Sequence, residues 1–515
     1  MVSRVYSAGV TGVTGYTVTV ECSSRDRVFD FALVGLPDTA VKEAEERVRC
    51  ACENSGIRFP DKELMINLAP ADKKKEGSAL DLAILISVLS SCGMMKDCES
   101  LEHKCFVGEL SLTGEVRHVR GALSMCLAAR NAGVKEIYLP REDAAEASPV
   151  EGIDVYGVSS LTELLLHLRG VQRIERTVCD RAAFEAAASD SSLDFSDVLG
   201  QALAKRALEI AAAGGHNILM IGPPGTGKSM LAKRMPSIMP ALSFEESIDI
   251  TSIYSSAGLH VGGLITERPF RSPHYTVSLA GMTGGGVHPM PGEISLAHGG
   301  VLFLDELPEY TRQVTESLRQ PMEDRTVTVT RASGTATYPA DFMLVAAMNP
   351  CKCGHYGDTR KRCTCSLADI QKYTKRLSGP MLDRIDIQIE LSSVAYDEMH
   401  AKPSARKAEK SSDIRARVMA ARAFAEARCK ENGEPFMPNA SLTPTQLRRD
   451  CALGEEASAL LARAFETLAL SARGHDRILR VARTIADLDE SRDIRAEHIA
   501  EAIGYRSLDL KYRSN

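Results

Sequence analysis

The sequence predicts an α/β protein built around a parallel sheet, and three segments predict it. Residues 222–229 read Gly-Pro-Pro-Gly-Thr-Gly-Lys-Ser, a complete phosphate-loop pattern, between the apolar run 217–221 and a helical stretch from Ser229. A second apolar run, 301–304, ends in Asp305-Glu306, and a third, 342–348, ends in Asn349. Short apolar runs of this kind read as buried parallel strands, whose carboxyl ends are where open α/β sheets place ligands.

Each element has a chemical reading. Gly222, Gly225 and Gly227, with Pro223, Pro224 and Thr226 between them, let the backbone curl so that its N–H groups face phosphates at a helix N-terminus. Lys228 is expected to reach the β- and γ-phosphates, and the Ser229 hydroxyl to ligate Mg²⁺. Asp305 is expected to hold Mg²⁺ through water, and Glu306 to orient and polarise the attacking water. The chain is therefore expected to bind ATP with Mg²⁺. Asn349 can sense the γ-phosphate; its plain alternative is a strand-ending Asn before Pro350. Arg384, within 377–386, is a candidate arginine finger for a neighbouring subunit, set against a surface salt bridge with Asp383 or Asp386. Arg473 is a candidate second sensor, with Arg480 and Arg483 as competitors.

The remainder of the chain bounds these readings. Of 515 residues, 44% are hydrophobic and 25% charged, as in ordinary globular proteins, and several domains are expected. No apolar stretch reaches the ~18 residues of a membrane span; 80–95 is broken by Asp81 and reads as a buried helix. Fourteen cysteines without a leader at Met1 argue for reduced thiols in a cytoplasm. At net charge −6, any grip on nucleic acid requires a local basic patch or a lined pore. Composition divides the chain into an α+β region 1–170, a polar, Ala-rich linker 171–193, the nucleotide domain 194–393 and a helical remainder 394–515. In the first region, 15–21 and 28–34 read as strands, and 39–54, 80–91 and 122–132 as helices. Residues 402–412 read as a charged, mobile stretch, and 457–470 and 478–488 as amphipathic helices.

Cys351-Lys-Cys353 and Cys363-Thr-Cys365 are two closely spaced pairs. Four thiolates satisfy a closed, tetrahedral structural Zn²⁺ site, with His355 in reserve. The alternative, four ordinary thiols on an exposed loop, is awkward given their susceptibility to oxidation.

In their order, the phosphate loop, Asp305-Glu306, Asn349, Arg384 and Arg473 resemble an AAA+ ATPase with a C-terminal helical lid. The stretches 200–217, 268–274, 291–298, 349–351 and 482–487 resemble the ComM/YifB family of magnesium chelatase-like proteins across nearly the whole chain. That resemblance implies a homo-hexameric ring that drives branch migration of DNA in recombination and natural transformation, with DNA, single-stranded or branched, in its pore. It also implies pore-facing insertions. The first, 253–286, carries Arg268 and Arg271; the second, 326–338, alternates around an Ala-Ser-Gly turn as a hairpin would. Arg331, near the tip of that hairpin, is the preferred DNA-backbone contact, and Arg268 and Arg271 are further candidates.

Residues 108–121 and 127–140, with Lys75-Glu-Gly77, are similar to the proteolytic domain of Lon. The match places Ala79 where the nucleophilic serine belongs and Leu123 where the general-base lysine belongs. Without a base to take its proton, Ser78 is a poor nucleophile, so this domain is expected to be proteolytically inactive. Two competing functions remain at this stage: a chelatase-type remodeller of a protein partner, and the Ser-Lys peptidase.

Overall fold

The computed structural model describes residues 2–187, 193–260, 262–287, 289–331, 334–358, 360–392, 409–468 and 470–506. Its N-terminal part contains β1 (Val2–Thr11), β2 (Thr14–Arg25), β3 (Asp30–Val34), β4 (Glu63–Ala69) and β5 (Lys104–Phe106). After the short ribbon β6 (Glu109–Leu110) and β7 (Val116–Arg117) come β8 (Glu136–Pro140), β9 (Asp154–Val158) and β10 (Arg176–Thr177). Eight of these strands form one mixed sheet in the order β10-β9-β8-β5-β1-β2-β4-β3. Both faces are covered. Neighbours Ile137 and Tyr138 fall in different buried clusters, as the alternation of a strand requires. The helix Asp81–Ser91 is buried along nearly its whole length, and Asp81 is tolerated there because Arg47 Nε donates to it at 2.7 Å.

The nucleotide domain contains β11 (Ile218–Ile221), β12 (Phe270–Arg271), β13 (Gly284–Gly285), β14 (Met290–Pro291) and β15 (Val301–Leu304). It continues through β16 (Thr326–Arg331), β17 (Gly334–Pro339), β18 (Met343–Met348) and β19 (Ile387–Glu390). β12-β15-β18-β11-β19 is a wholly parallel sheet. β18 lies between β11 and β15, which brings the ends of all three apolar runs side by side. The expected hairpin is present as β16–β17, with Arg331 paired to Gly334; Ala332 and Ser333 of its turn lie outside the described residues. One face is buried through Val327, Val329, Ala336 and Tyr338, while Thr326, Thr328, Thr330, Thr335 and Thr337 are exposed on the other.

Beyond the sheet, helices Ser411–Glu431, Pro444–Asp450, Glu455–Thr467, Ala472–Leu488 and Ala496–Gly504 share one core with the helix Ala202–Gly214 and β11. Buried polar contacts fix them there: Asp487 accepts from Arg428 at 2.5 Å and Arg483 at 3.1 Å, and His216 Nε2 meets Thr484 Oγ1 at 2.8 Å. Within 171–193 the helix Arg181–Ala187 forms, and residues 188–192 lie outside the described residues. Most of the charged 402–412 stretch also lies outside them.

Candidate active site

The phosphate loop leaves β11 and closes on the helix Lys228–Ile238. Gly225 and Gly227 take φ of 79° and 89°, values that favour glycine, and the Thr226 hydroxyl donates to Pro223 O at 3.0 Å. Lys228 Nζ donates to Gly222 O at 2.6 Å, Pro223 O at 2.9 Å and Asn349 Oδ1 at 3.3 Å. Burial pushes its ammonium down to about 8, although Asp305 and Glu306 pull it upward. Ser229 Oγ donates to Asp305 Oδ2 at 2.6 Å, so the two expected Mg²⁺ residues stand together. Oxygens from a hydroxyl and a carboxylate suit a hard cation that keeps several waters. The backbone of Glu306 is left-handed at φ 52°, its side chain is exposed, and its N–H donates to Asp305 Oδ1 at 2.9 Å. Such strained non-glycine residues cluster at functional sites.

One functional neighbour escaped the sequence reading. Gln201, at φ 56°, donates from Nε2 to Thr226 O at 3.2 Å and Ser392 O at 2.7 Å, bracing the phosphate loop from outside. It belongs to the 200–217 stretch, but a lone Gln before a helix carries no local signal of that role.

The arginines divide by environment. Arg384 is buried; Nη2 pairs with Glu323 Oε1 at 2.7 Å and Nη1 donates to Pro380 O at 2.7 Å. Its ion-pair partner is thus Glu323, while Asp386 pairs with Arg477. Asp386 is itself buried against His216 and Arg477, which hold its carboxyl well below the usual range against the upward push of burial. Arg480 donates to Leu442 O at 2.8 Å and Arg483 is 1% exposed on Asp487, whereas Arg473 is exposed on the first turn of Ala472–Leu488.

The three DNA-contact candidates sit in different surroundings. Arg268 is half-buried with its side chain 7% exposed, donating to Pro240 O and Gly299 O, each at 2.6 Å, and pairing with Glu246 at 3.0 Å. Arg271 is held by both oxygens of Glu293, at 2.7 and 2.8 Å. Fully engaged guanidinium groups tie the insertion to its own domain and have little left for a phosphate backbone. Arg331 alone of the three is exposed, its Nη1 donating to Thr330 O at 2.9 Å.

In the N-terminal domain the Lys75 ammonium donates to the carbonyls of Pro70 and Lys73, and the Ser78 hydroxyl to Glu109. Lys74 pairs with Glu76 at 3.1 Å. Among the described residues neither lysine is hydrogen-bonded to the Ser78 hydroxyl.

The four thiols of Cys351, Cys353, Cys363 and Cys365 lie within 4.8 Å of one another and could hold a metal ion. Among the described residues no helix is long and apolar enough to cross a membrane.

Residues 194–399 match the family model described as magnesium chelatase, subunit ChlI. Residues 18–143 match that of subunit ChlI of Mg-chelatase, and 408–506 that of its C-terminal part. Competence protein ComM of Haemophilus influenzae is 40% identical over 508 residues, 98% of this chain and 97% of that protein. This chain belongs to the ComM/YifB family of magnesium chelatase-like proteins. YifB of Escherichia coli is 41% identical over 508 residues, with the same coverage of 98% and 97%. DNA repair protein RadA of Streptococcus pneumoniae is 31% identical over 113 residues, 22% of this chain and 26% of RadA. The α/β core of this ComM/YifB protein is accordingly of the AAA+ class, followed by a helical C-terminal region.

Proposed function

We propose that this protein is an ATP-driven ring motor acting on DNA, a branch-migration helicase that supports recombination and natural transformation. The observation that carries the reading is the convergence of Lys228, Asn349, Ser229 and Asp305, with Glu306 beside them. Gly222 to Ser229 would cradle ATP, Ser229 and Asp305 would hold Mg²⁺, and Glu306 would take the proton of the attacking water. Arg384 would reach the site of the next subunit in a homo-hexamer, and Arg473 would approach the γ-phosphate from the lid. Arg331 on the polar hairpin would touch DNA phosphate, a contact that weakens with salt. The domains would be an inactive Lon-protease-like 1–170, a linker 171–193, an AAA+ core 194–393 and a lid 394–515, working in the cytoplasm. Structural Zn²⁺ on the four cysteines would complete the cofactor set.

Relatives named for competence and DNA repair support a DNA substrate. The test is ATP turnover of the purified protein with and without a branched DNA junction, across a salt series, beside Glu306→Gln. Junction-stimulated turnover that falls with salt and is lost in the variant supports the motor. Turnover indifferent to DNA in the assembled protein overturns it and assigns the ATPase to a protein partner, as in a chelatase-type remodeller.

A further inference from the structure

The four-cysteine loop touches the nucleotide site at two points. Only Pro350 separates Cys351 from Asn349, whose Oδ1 accepts from Lys228 Nζ at 3.3 Å. Gly354, in the turn after Cys353, has φ +84°, and a Cβ there would stand 2.7 Å from Cδ and 2.9 Å from Cγ of Pro224 in the phosphate loop. The loop thus packs its backbone directly against the loop that would cradle phosphates.

The sulfurs are arranged as ligands. Sγ separations are 3.4 Å for Cys351–Cys353, 3.7 Å for Cys351–Cys363 and 3.6 Å for Cys353–Cys363. A tetrahedron with Zn–S bonds of about 2.3 Å has edges of about 3.8 Å. Backbone N–H groups of Gly354 and Tyr356 are directed at the Cys351 sulfur, and those of His355 and Thr364 at Cys353. Four thiolates on one dication leave two negative charges, and the exposed Lys352, Arg360, Lys361 and Arg362 lie on the same loop to offset them.

We propose that a thiophilic dication with the chemistry of zinc, held by Cys351, Cys353, Cys363 and Cys365, is a working part of the nucleotide site. By closing the loop it fixes Asn349 toward Lys228 and seats Gly354 on Pro224, so metal occupancy sets the affinity for ATP. Metal binding and local folding are one equilibrium, and without the ion the loop must be ordered at the cost of its own chain entropy. The proposal rests on the reading of residues 222–229 as an ATP site.

The experiment uses the full-length protein, measuring zinc released by a mercurial reagent and the affinity for a fluorescent ATP analogue with Mg²⁺. About one zinc per chain is expected, and stripping it is expected to weaken nucleotide binding about tenfold, reversibly on zinc addition. Cys363→Ser should behave as the stripped protein does. Gly354→Ala should keep its zinc yet bind nucleotide more weakly, separating the Pro224 contact from metal retention. A metal-loaded protein that binds no nucleotide overturns both the ATP-site reading and the proposal. Purified protein that neither contains nor takes up zinc, or nucleotide affinity indifferent to its removal, overturns the proposal alone.

Discussion

Ser229 Oγ donates to Asp305 Oδ2 at 2.6 Å, joining two segments 76 residues apart in the chain. The bond sets the helix after the phosphate loop against the end of β15 and leaves Glu306, one residue on, exposed beside them. One contact therefore organises the two proposed cation ligands beside the proposed water-activating carboxylate. Glu306→Gln is expected to lower ATP turnover by about 10²–10⁴-fold, the usual range for loss of a general base. Nucleotide affinity should stay within a few-fold, because the phosphate cradle is untouched. A turnover assay beside an equilibrium titration checks this; a variant with undiminished turnover removes Glu306 from the chemistry.

Lys228 gives nucleotide binding a pH dependence of definite sign. Burial lowers its ammonium from 10.5 to about 8, and the phosphates of a bound nucleotide would raise it again. Binding then takes up a proton wherever the free protein has lost one. Affinity should hold below pH 8 and fall as pH rises through 8, by up to about tenfold per unit. In Lys228→Arg the guanidinium stays charged, so the profile should be flat. A wild-type profile equally flat between pH 7 and 9 would contradict the lowered value.

Legibility followed the range of the interaction. The phosphate loop, Asp305-Glu306 and Asn349 were readable because a buried parallel strand writes itself as a contiguous apolar run with its chemistry at the end. The helices around 44–54, 81–91, 122–131 and 472–488 were readable from periodicity. β1 was not read: its inward Ser3 and Ser7 break the apolar alternation, and they are tolerated because each donates at 2.7 Å, to Ser87 O and Phe106 O. Arg268 and Arg271 looked free because their carboxylate partners, Glu246 and Glu293, are each 22 residues away and only the tertiary fold brings them close. The contact of Gly354 with Pro224 is hidden for the same reason.

Arg384 is held in its own subunit by Glu323 Oε1 at 2.7 Å, so service to a neighbour requires that this pair open. In the assembled protein Arg384→Ala is expected to lower turnover about 10³-fold, as for loss of an arginine finger, with nucleotide binding retained. Glu323→Gln should release the guanidinium and leave turnover unchanged or higher. Mixing Arg384→Ala subunits with Lys228→Ala subunits should restore part of the activity, since some interfaces then carry both intact groups. Failure of every mixing ratio to restore turnover would place Arg384 in a structural role.

The N-terminal sheet domain touches the helix Phe244–Ser256 and the β16–β17 hairpin. The Gly121 N–H donates to Ser255 Oγ at 2.9 Å at the end of the helix Phe244–Ser256, and a Cβ on Gly12 would stand 3.0 Å from Ala336 Cβ on the β16–β17 hairpin. Buried Glu146 lies at the first contact, accepting from Leu123 N at 2.9 Å, with Ser255, Asp143 and His118 around it. Burial raises its carboxyl from 4.5 to about 7, so the folded protein binds this proton more tightly than the unfolded chain. The associated stability is fully present below pH 4.5 and is lost as pH rises through 7, on the order of 3 kcal/mol at the limit. Asp143 is raised by burial as well and adds with the same sign. Glu146→Gln removes one of these titrations, so the difference in melting temperature between wild type and variant should shift against the wild type from pH 5 to pH 8. A difference that does not change with pH would show Glu146 to be as ionised at this contact as in the unfolded chain.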